Sequence, residues 1–205
     1  ERLVSHKLIP QLDRCLTVEN GVSQDSLKKR AIELLDQDPG LSGLRGDVKI
    51  RNRILHAFGE IPLVAPLAFK LTVARNQRPD VYDHSIRIAL VALFLAIRSS
   101  SFSDQRLVTL AAAAVFHDIG ILHVPPELLK KGRRLARAER HHLYAHPITG
   151  FLILREFPEY HPEISRTVFE HHERLDGSGY PRGLKQEGIC LGAQLIAHAL
   201  GAKVY

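Results

Sequence analysis

With 205 residues, 45% of them hydrophobic and 24% charged, the chain has the composition of an ordinary globular protein that can bury its own core. Its longest apolar run, residues 88–97, is too short for a membrane span, and the start of the chain lacks the apolar core of a signal peptide. The two cysteines form no motif, so we expect free thiols in a cytoplasmic protein without a membrane partner. The net charge of +6 is modest and taken as spread along the chain, and no basic run is interleaved with aromatic residues, which argues against binding to long nucleic acid.

The first part of the chain reads as a series of helices without a recognisable site. Ser23 is predicted to cap a helix whose leucines share one face and which ends at Pro39. Runs of β-branched residues with a period of two are absent, so the predicted fold class is all-α. We predict a helical N-terminal region over 1–75, whose role as a dimerisation platform or a sensor stays open, and a second domain over 76–205.

The composition is unusual in having twelve histidines. Two segments place histidines on apolar helix faces in the middle of the chain. His84 shares a helical face with Ile88 and Val91, and Asp80 lies one turn before it. A lone inward histidine is more often a satisfied core residue than a ligand. The second segment is an alanine-rich helix whose apolar face continues into the pair that follows it, His117-Asp118. A buried carboxylate beside an imidazole is costly unless a metal ion or a mutual hydrogen bond compensates it.

The remaining candidates lie where helices are predicted to begin or end. His146 precedes a proline, which suits the first position of a helix. His171 and His172 extend the apolar face that contains Ile164 and Val168. Adjacent helical positions are about 100° apart, so both histidines can reach one polar centre only near the end of the helix. Their placement therefore predicts a cavity at that end.

Together these residues predict a metal centre. Imidazoles with a bridging carboxylate suit iron, manganese or zinc, whereas a zinc finger is excluded because cysteine ligands are absent. Asp118 is the natural bridge between two ions and the residue we expect to serve catalysis. Two-metal centres of this kind are suited to the in-line hydrolysis of phosphoesters.

Three motifs, "HDIG", "AHPITG" and "HHERLDGSGYPRGL", resemble the HD-GYP family, a branch of the HD phosphohydrolase superfamily, over residues 76–205. The resemblance implies an all-α HD-domain bundle with a bimetal or trimetal centre that hydrolyses cyclic di-GMP. It implies one to two divalent ions here, with iron or manganese expected. The metal-ligand positions of the family fall on His84, His117, Asp118, His146, His171 and His172, and Asp80 falls where some members hold a glutamate that binds a third metal.

The resemblance also implies a substrate or partner loop. In the family this loop borders the substrate cleft and is implicated in contacts with GGDEF-type cyclase domains. We therefore expect cyclic di-GMP or a related nucleotide and such cyclase domains as partners, and a homodimer remains open. The loop residues are Asp176, Gly179, Tyr180, Pro181 and Arg182.

Two departures from the family pattern affect the same half of the expected centre. The family usually reads HDIGK, but the fifth position here is Ile121, which cannot stabilise charge on a phosphate. Leu200 stands where the family has an aspartate ligand that groups with the "HD" residues. The chain also ends at Tyr205, before basic residues that some members use on phosphates, so we take its C-terminal end as truncated.

Three functions follow from this pattern. The favoured hypothesis is an HD-GYP module with a degraded half-site, weak or inactive as a phosphodiesterase, which acts by binding a ligand or a partner. The first alternative is an active cyclic di-GMP phosphodiesterase with an altered metal centre, since water can replace a lost ligand. The second alternative is an HD hydrolase of another phosphoester, which the intact GYP motif disfavours.

Overall fold

The computed structural model describes residues 21–99, 102–130, 132 and 134–201. Within these ranges the chain forms nine α-helices and no strand, which confirms the predicted all-α fold. Short 3₁₀ turns follow several of the helices. The helices are α1 (Gln24–Gln37), α2 (Val48–Gly59), α3 (Ala65–Gln77), α4 (Pro79–Arg98), α5 (Asp104–Phe116), α6 (Arg137–Tyr144), α7 (His146–Arg155), α8 (Pro162–Glu170) and α9 (Leu191–Ala199).

The N-terminal helices pack on the same apolar core as the rest of the chain. Ser23 caps α1 as predicted, because its side chain accepts a hydrogen bond from the backbone of Ser26. One cluster of buried apolar residues has its first member at Val22 and its last at Ile196, and it includes the inner faces of α1, α2, α4 and α5. The boundary near residue 75 falls inside α3 and stays a prediction, and residues 1–20 of the N-terminal region lie outside the described residues.

Helix α5 is the most buried helix of the fold. Every residue from Leu110 to Phe116 is buried, and the alanines among them allow α4 to approach closely. By length and mean hydropathy (1.3) the segment Asp104–His123 is apolar enough to cross a membrane, but 78% of its apolar window is buried inside the protein. Its apolar character is therefore explained by packing in the core.

Helices α7 and α8 form a hairpin that brings the start of one helix to the end of the other. The 3₁₀ turn Ile119–His123 packs against the start of α7, and this contact requires a glycine. A Cβ atom on Gly120 would lie 2.1 Å from the carbonyl oxygen of His146. The glycine of "HDIG" therefore lets the end of α5 meet the beginning of α7.

Candidate metal centre

Five histidines and one aspartate converge from four helices onto one interior site. The positions follow the predicted helix ends: His117 and Asp118 come directly after α5, His146 opens α7, and the histidine pair follows the last residue of α8. His84 lies in the second turn of α4. The ligand atoms form two groups, each within 4.8 Å, that share Asp118: Asp118, His146, His171 and His172, and His84, His117 and Asp118.

The first group, which we call the complete half, surrounds one oxygen of Asp118. Nε2 of His146 lies 3.2 Å from Oδ1 of Asp118, and Nε2 of His171 lies 3.8 Å from the same oxygen. The rings of His171 and His172 are 4.1 Å apart between centroids. His146 and His171 are buried, and His172 is half-buried. This half therefore has four potential ligands.

The backbone fixes which ring nitrogen of these histidines faces the centre. Nδ1 of His117, His146 and His171 each lies 2.6–2.8 Å from the carbonyl oxygen three residues earlier. A carbonyl only accepts, so each Nδ1 carries the proton and donates it there. Each Nε2 is then left with a lone pair directed at the centre. Outer partners of this kind are the usual means by which proteins orient histidine ligands for a metal.

This arrangement leaves lone pairs in contact without a cation between them. Nε2 of His146 and Nε2 of His171 are 3.3 Å apart, and neither has a proton to donate once both Nδ1 atoms are protonated. Nε2 of His117 is buried and has no hydrogen-bond partner among the described residues. Buried acceptors that converge in this way are costly unless something positive binds them. The donor set therefore fits a divalent metal.

The second group, which we call the depleted half, has only three potential ligands. The ring centroids of His84 and His117 are 5.6 Å apart, and Nε2 of His117 lies 3.3 Å from Oδ2 of Asp118. Leu200, at the end of α9, packs against the apolar core instead of offering a carboxylate. Ile121 is buried in the turn after Asp118, so no cation is presented there. By the family pattern, both departures seen in the sequence belong to this half.

The protonation states agree with a metal site. Burial alone would raise the pKa of Asp118, but the neighbouring His117 lowers it well below its usual value. The carboxylate is therefore ionised. Burial lowers the pKa of His171 well below its usual value and that of His172 to about 3. Burial lowers the pKa of His117, but Asp118 raises it above its usual value, so a metal ion at this position would replace the proton on Nε2. Neutral His171 and His172 and an ionised Asp118 are the forms that bind a metal.

The GYP loop closes over the complete half through an aromatic stack. The ring of Tyr180 stacks on His172 at 4.7 Å and 19° and on Tyr144 at 4.3 Å and 16°. The Tyr180-Pro181 peptide bond is cis. A Cβ atom on Gly179 would lie 2.4–2.5 Å from the backbone of residues 172–174, so only glycine permits this approach.

Two residues that sequence reasoning missed hold this loop in place. Glu173 is buried, and its carboxylate accepts hydrogen bonds from the backbone N–H groups of Arg182 (2.6 Å) and Leu184 (2.8 Å). Tyr144 was missed because its partner, Tyr180, is distant in sequence. The sequence signal for this role is the position of Glu173 directly after the histidine pair. A carboxylate buried there must accept hydrogen bonds from groups other than those histidines.

The other predicted residues lie at the edge of the site. Asp80 is exposed in the first turn of α4 and belongs to neither group, so a third ion there stays a prediction. Asp176 is exposed and accepts two hydrogen bonds from Ser178, which makes it a turn residue of the loop. Arg182 is exposed, as is His198, which belongs to neither group.

Comparisons with known proteins match the chain to a described family. Residues 70–200 match the family model described as "HD domain". The chain is 33% identical over 128 residues to a protein named cyclic di-GMP phosphodiesterase PA4108 from Pseudomonas aeruginosa, covering 62% of this chain and 31% of the relative. It is 31% identical over 195 residues to one named 3′3′-cGAMP-specific phosphodiesterase 3 from Vibrio cholerae, covering 90% of this chain and 41% of the relative.

The fold also has a solved counterpart. A protein described as Bd1817, an HDG"Y"P protein from Bdellovibrio bacteriovorus, superimposes with a TM-score of 0.57 at 17% sequence identity. The likeness covers 86% of this chain and 56% of that chain, and it supports the fold alone. The chain spans less than half the length of the two curated relatives described above, at 31% and 41%.

Proposed function

Because this chain belongs to the HD domain family, we propose that it is an HD-GYP module of bacterial cyclic di-GMP signalling with one intact metal-binding half and weak or absent phosphodiesterase activity. The family match and the names of the relatives confirm the resemblance seen in the motifs. The observation that carries the proposal is the asymmetry of the site. Four potential ligands converge in the complete half, whereas the depleted half has three, and Leu200 stands where the family pattern has a further carboxylate ligand.

The residues of the complete half would hold the metal. Their three imidazoles and one carboxylate suit iron or manganese, and we expect one ion there and at most two in the whole centre. A bound divalent ion would supply Lewis-acid activation of a phosphoester. Asp118 has an oxygen toward each half, so it is the residue that would bridge the ions and serve catalysis.

The depleted half explains why turnover is expected to be weak. A phosphoester that loses its leaving group develops negative charge, which a cation near the phosphate stabilises. Ile121 cannot provide that charge, and Leu200 cannot hold an ion beside His84 and His117. The complete half, the ionised Asp118 and the GYP loop remain, so binding of the ligand survives better than its hydrolysis.

The names of the relatives and the loop support the ligand and the partners. Two relatives are named for cyclic di-GMP and 3′3′-cGAMP, so a cyclic dinucleotide is the ligand class we propose. The GYP loop is ordered over the site with Arg182 exposed, which supports its use as a contact for GGDEF-type cyclase domains. A cytoplasmic location fits such a role. A homodimer remains a proposal.

Metal content and hydrolysis, measured on the same protein, test this function. The purified protein is loaded with Mn²⁺ or with Fe²⁺ under anaerobic conditions, metals per chain are determined by mass spectrometry, and cyclic di-GMP and 3′3′-cGAMP are assayed separately. We expect about one ion per chain, binding of a cyclic dinucleotide and little linear product. Two ions with rapid turnover would establish the alternative, an active phosphodiesterase with an altered centre. Turnover of another phosphoester, without binding of either dinucleotide, would establish the third reading.

A further inference from the structure

The positive charge of the chain is concentrated in the stretch that precedes His146 in the sequence. Residues 130–142 contain six lysines and arginines against one glutamate, a net +5 out of the +6 of the whole chain. The even spread of charge expected from composition is therefore wrong. The described basic residues of this stretch are all exposed, and they are Lys130, Arg134, Arg137 and Arg140.

These cations differ from the arginines of the helical scaffold in having no counter-charge. Arg30, Arg51 and Arg87 each contact a carboxylate oxygen at 2.6–2.7 Å. The guanidinium groups of Arg137 and Arg140 make no hydrogen bond or ion pair within the part of the chain that the structure describes. An unpaired guanidinium has five donors available in a planar fork that matches phosphate oxygens. This surface is thus suited to an external anion.

Helix α6 places two of these cations on the same face as Tyr144, the residue that links α6 to the metal centre. Positions i, i+3, i+4 and i+7 of a helix share one face. On α6 this face ends in Tyr144, whose ring stacks on Tyr180, which in turn stacks on His172 of the complete half. We call this face the basic stripe, and it consists of Arg137, Arg140, His141 and Tyr144.

We propose that the basic stripe is a docking subsite for a nucleoside phosphate outside the metal centre. The guanidinium groups of Arg137 and Arg140 hold phosphate oxygens, and the free side of the Tyr144 ring, which is 43% exposed, stacks on the base. The subsite deepens the proposed function, on which it rests for the identity of the natural ligand. It would raise the local concentration of an anionic nucleotide at the mouth of the catalytic centre.

A nucleotide fits the stripe better than a membrane surface does. Interfacial helices insert an apolar face of leucine, phenylalanine or tryptophan below a basic face. Helix α6 has eight residues, RAERHHLY, and its only large apolar side chain besides Tyr144 is the half-buried Leu143. A single aromatic ring that already rests on Tyr180 suits stacking on one base.

Nuclear magnetic resonance on the metal-free protein tests the subsite without any activity measurement. Backbone amide shifts are followed in EDTA during titration with inorganic pyrophosphate and, separately, with GDP. We expect both probes to shift the amides of residues 137–144. GDP should bind about fivefold or more tightly than pyrophosphate, because only GDP offers a base to Tyr144.

Matched variants separate the two contributions. Arg137→Gln/Arg140→Gln should weaken both probes about tenfold, whereas Lys49→Gln/Arg98→Gln, which removes the same charge from exposed positions on α2 and α4, should leave both unchanged. Tyr144→Leu should abolish the advantage of GDP over pyrophosphate, and Tyr144→Phe should retain it. Amide spectra of each variant in the absence of probe verify that the fold is intact.

Three results would overturn the proposal. The first is the absence of shifts in residues 137–144 with either probe. The second is an equal loss of affinity in the Lys49→Gln/Arg98→Gln control. The third is that the protein binds vesicles of anionic phospholipid and that Arg137→Gln/Arg140→Gln loses this binding but still shows the amide shifts caused by GDP. Failure of the proposed function is distinct, since it would show as missing metal or missing cyclic dinucleotide binding while α6 still responds to GDP.

Discussion

The two halves of the metal centre share Asp118 and differ in what completes them. In the complete half, His146, His171 and His172 converge on that carboxylate from the ends of two helices. In the depleted half, two histidines approach the same carboxylate, and Leu200 packs against the apolar core instead of offering a further ligand. A family motif can therefore be intact in a chain whose catalytic centre is incomplete, because most residues of the motif lie in one half of the centre.

Removing one histidine from each half gives the largest expected contrast. His146→Ala takes a ligand from the complete half and should lower Mn²⁺ affinity more than about 100-fold, beyond the usual effect of losing an outer partner. His84→Ala should change it less than about threefold, because the depleted half holds no ion of its own. Isothermal titration with Mn²⁺ measures both. Equal losses in the two variants would show that the halves bind metal as one unit.

Rebuilding the depleted half should move it toward the complete one. Leu200→Asp restores the carboxylate ligand of the family pattern, and Ile121→Lys restores its cation. The double variant should bind close to two ions per chain and hydrolyse cyclic di-GMP at least about tenfold faster than the parent.

The control for this gain places a carboxylate elsewhere on α9. His198→Asp adds an acidic group at an exposed position two residues away and should alter neither metal content nor turnover. A rebuilt variant that folds, as judged by thermal unfolding, yet still binds one ion would contradict the view that Leu200 and Ile121 account for the loss.

The complete half also depends on the loop that covers it. In Glu173→Gln the amide oxygen can still accept a hydrogen bond from one of the two backbone N–H groups. The amide NH₂ group cannot accept one, so the other N–H group loses its partner. An unsatisfied buried group costs about 1–3 kcal/mol, so Tm should fall by several degrees. Glu187→Gln, at an exposed position of the following segment, should leave Tm unchanged. Differential scanning calorimetry measures both, and equal Tm values for the parent and Glu173→Gln would show that the loop is held by its aromatic stack alone.

Sequence reasoning predicted the complete half better than its surroundings, for a physical reason. The start of α7 at His146 and the end of α8 before His171 follow from proline placement and helical periodicity, which are local signals. The stack of Tyr144 on Tyr180 joins residues far apart in sequence and could not be predicted from either segment. The concentration of charge in residues 130–142 was present in the sequence and was missed because the whole-chain charge is modest.

The depleted half rests on α4, and the smallest expected effect concerns an ion pair of that helix. Nε of Arg87, one turn after His84, donates to Asp38 at 2.6 Å, and this bond together with that from the Gly40 N–H lowers the pKa of Asp38. A lowered carboxyl pKa adds stability that is present above the ordinary value of 3.8 and is lost as the pH falls through the folded value. Asp38→Asn keeps the turn-capping oxygen and removes only the charge.

We therefore expect Asp38→Asn to lower Tm slightly at pH 7, with the difference from the parent disappearing at a pH far enough below 3.8 that Asp38 is protonated in both states. Metal content at pH 7 should not change, because the apolar core, not the ion pair, positions α4. Thermal unfolding at the two pH values and metal analysis measure these outcomes. A Tm difference that is equally large at both pH values would mean that the shape of residue 38, not its charge, stabilises this side of α4. A loss of metal would mean that the depleted half contributes to metal binding after all.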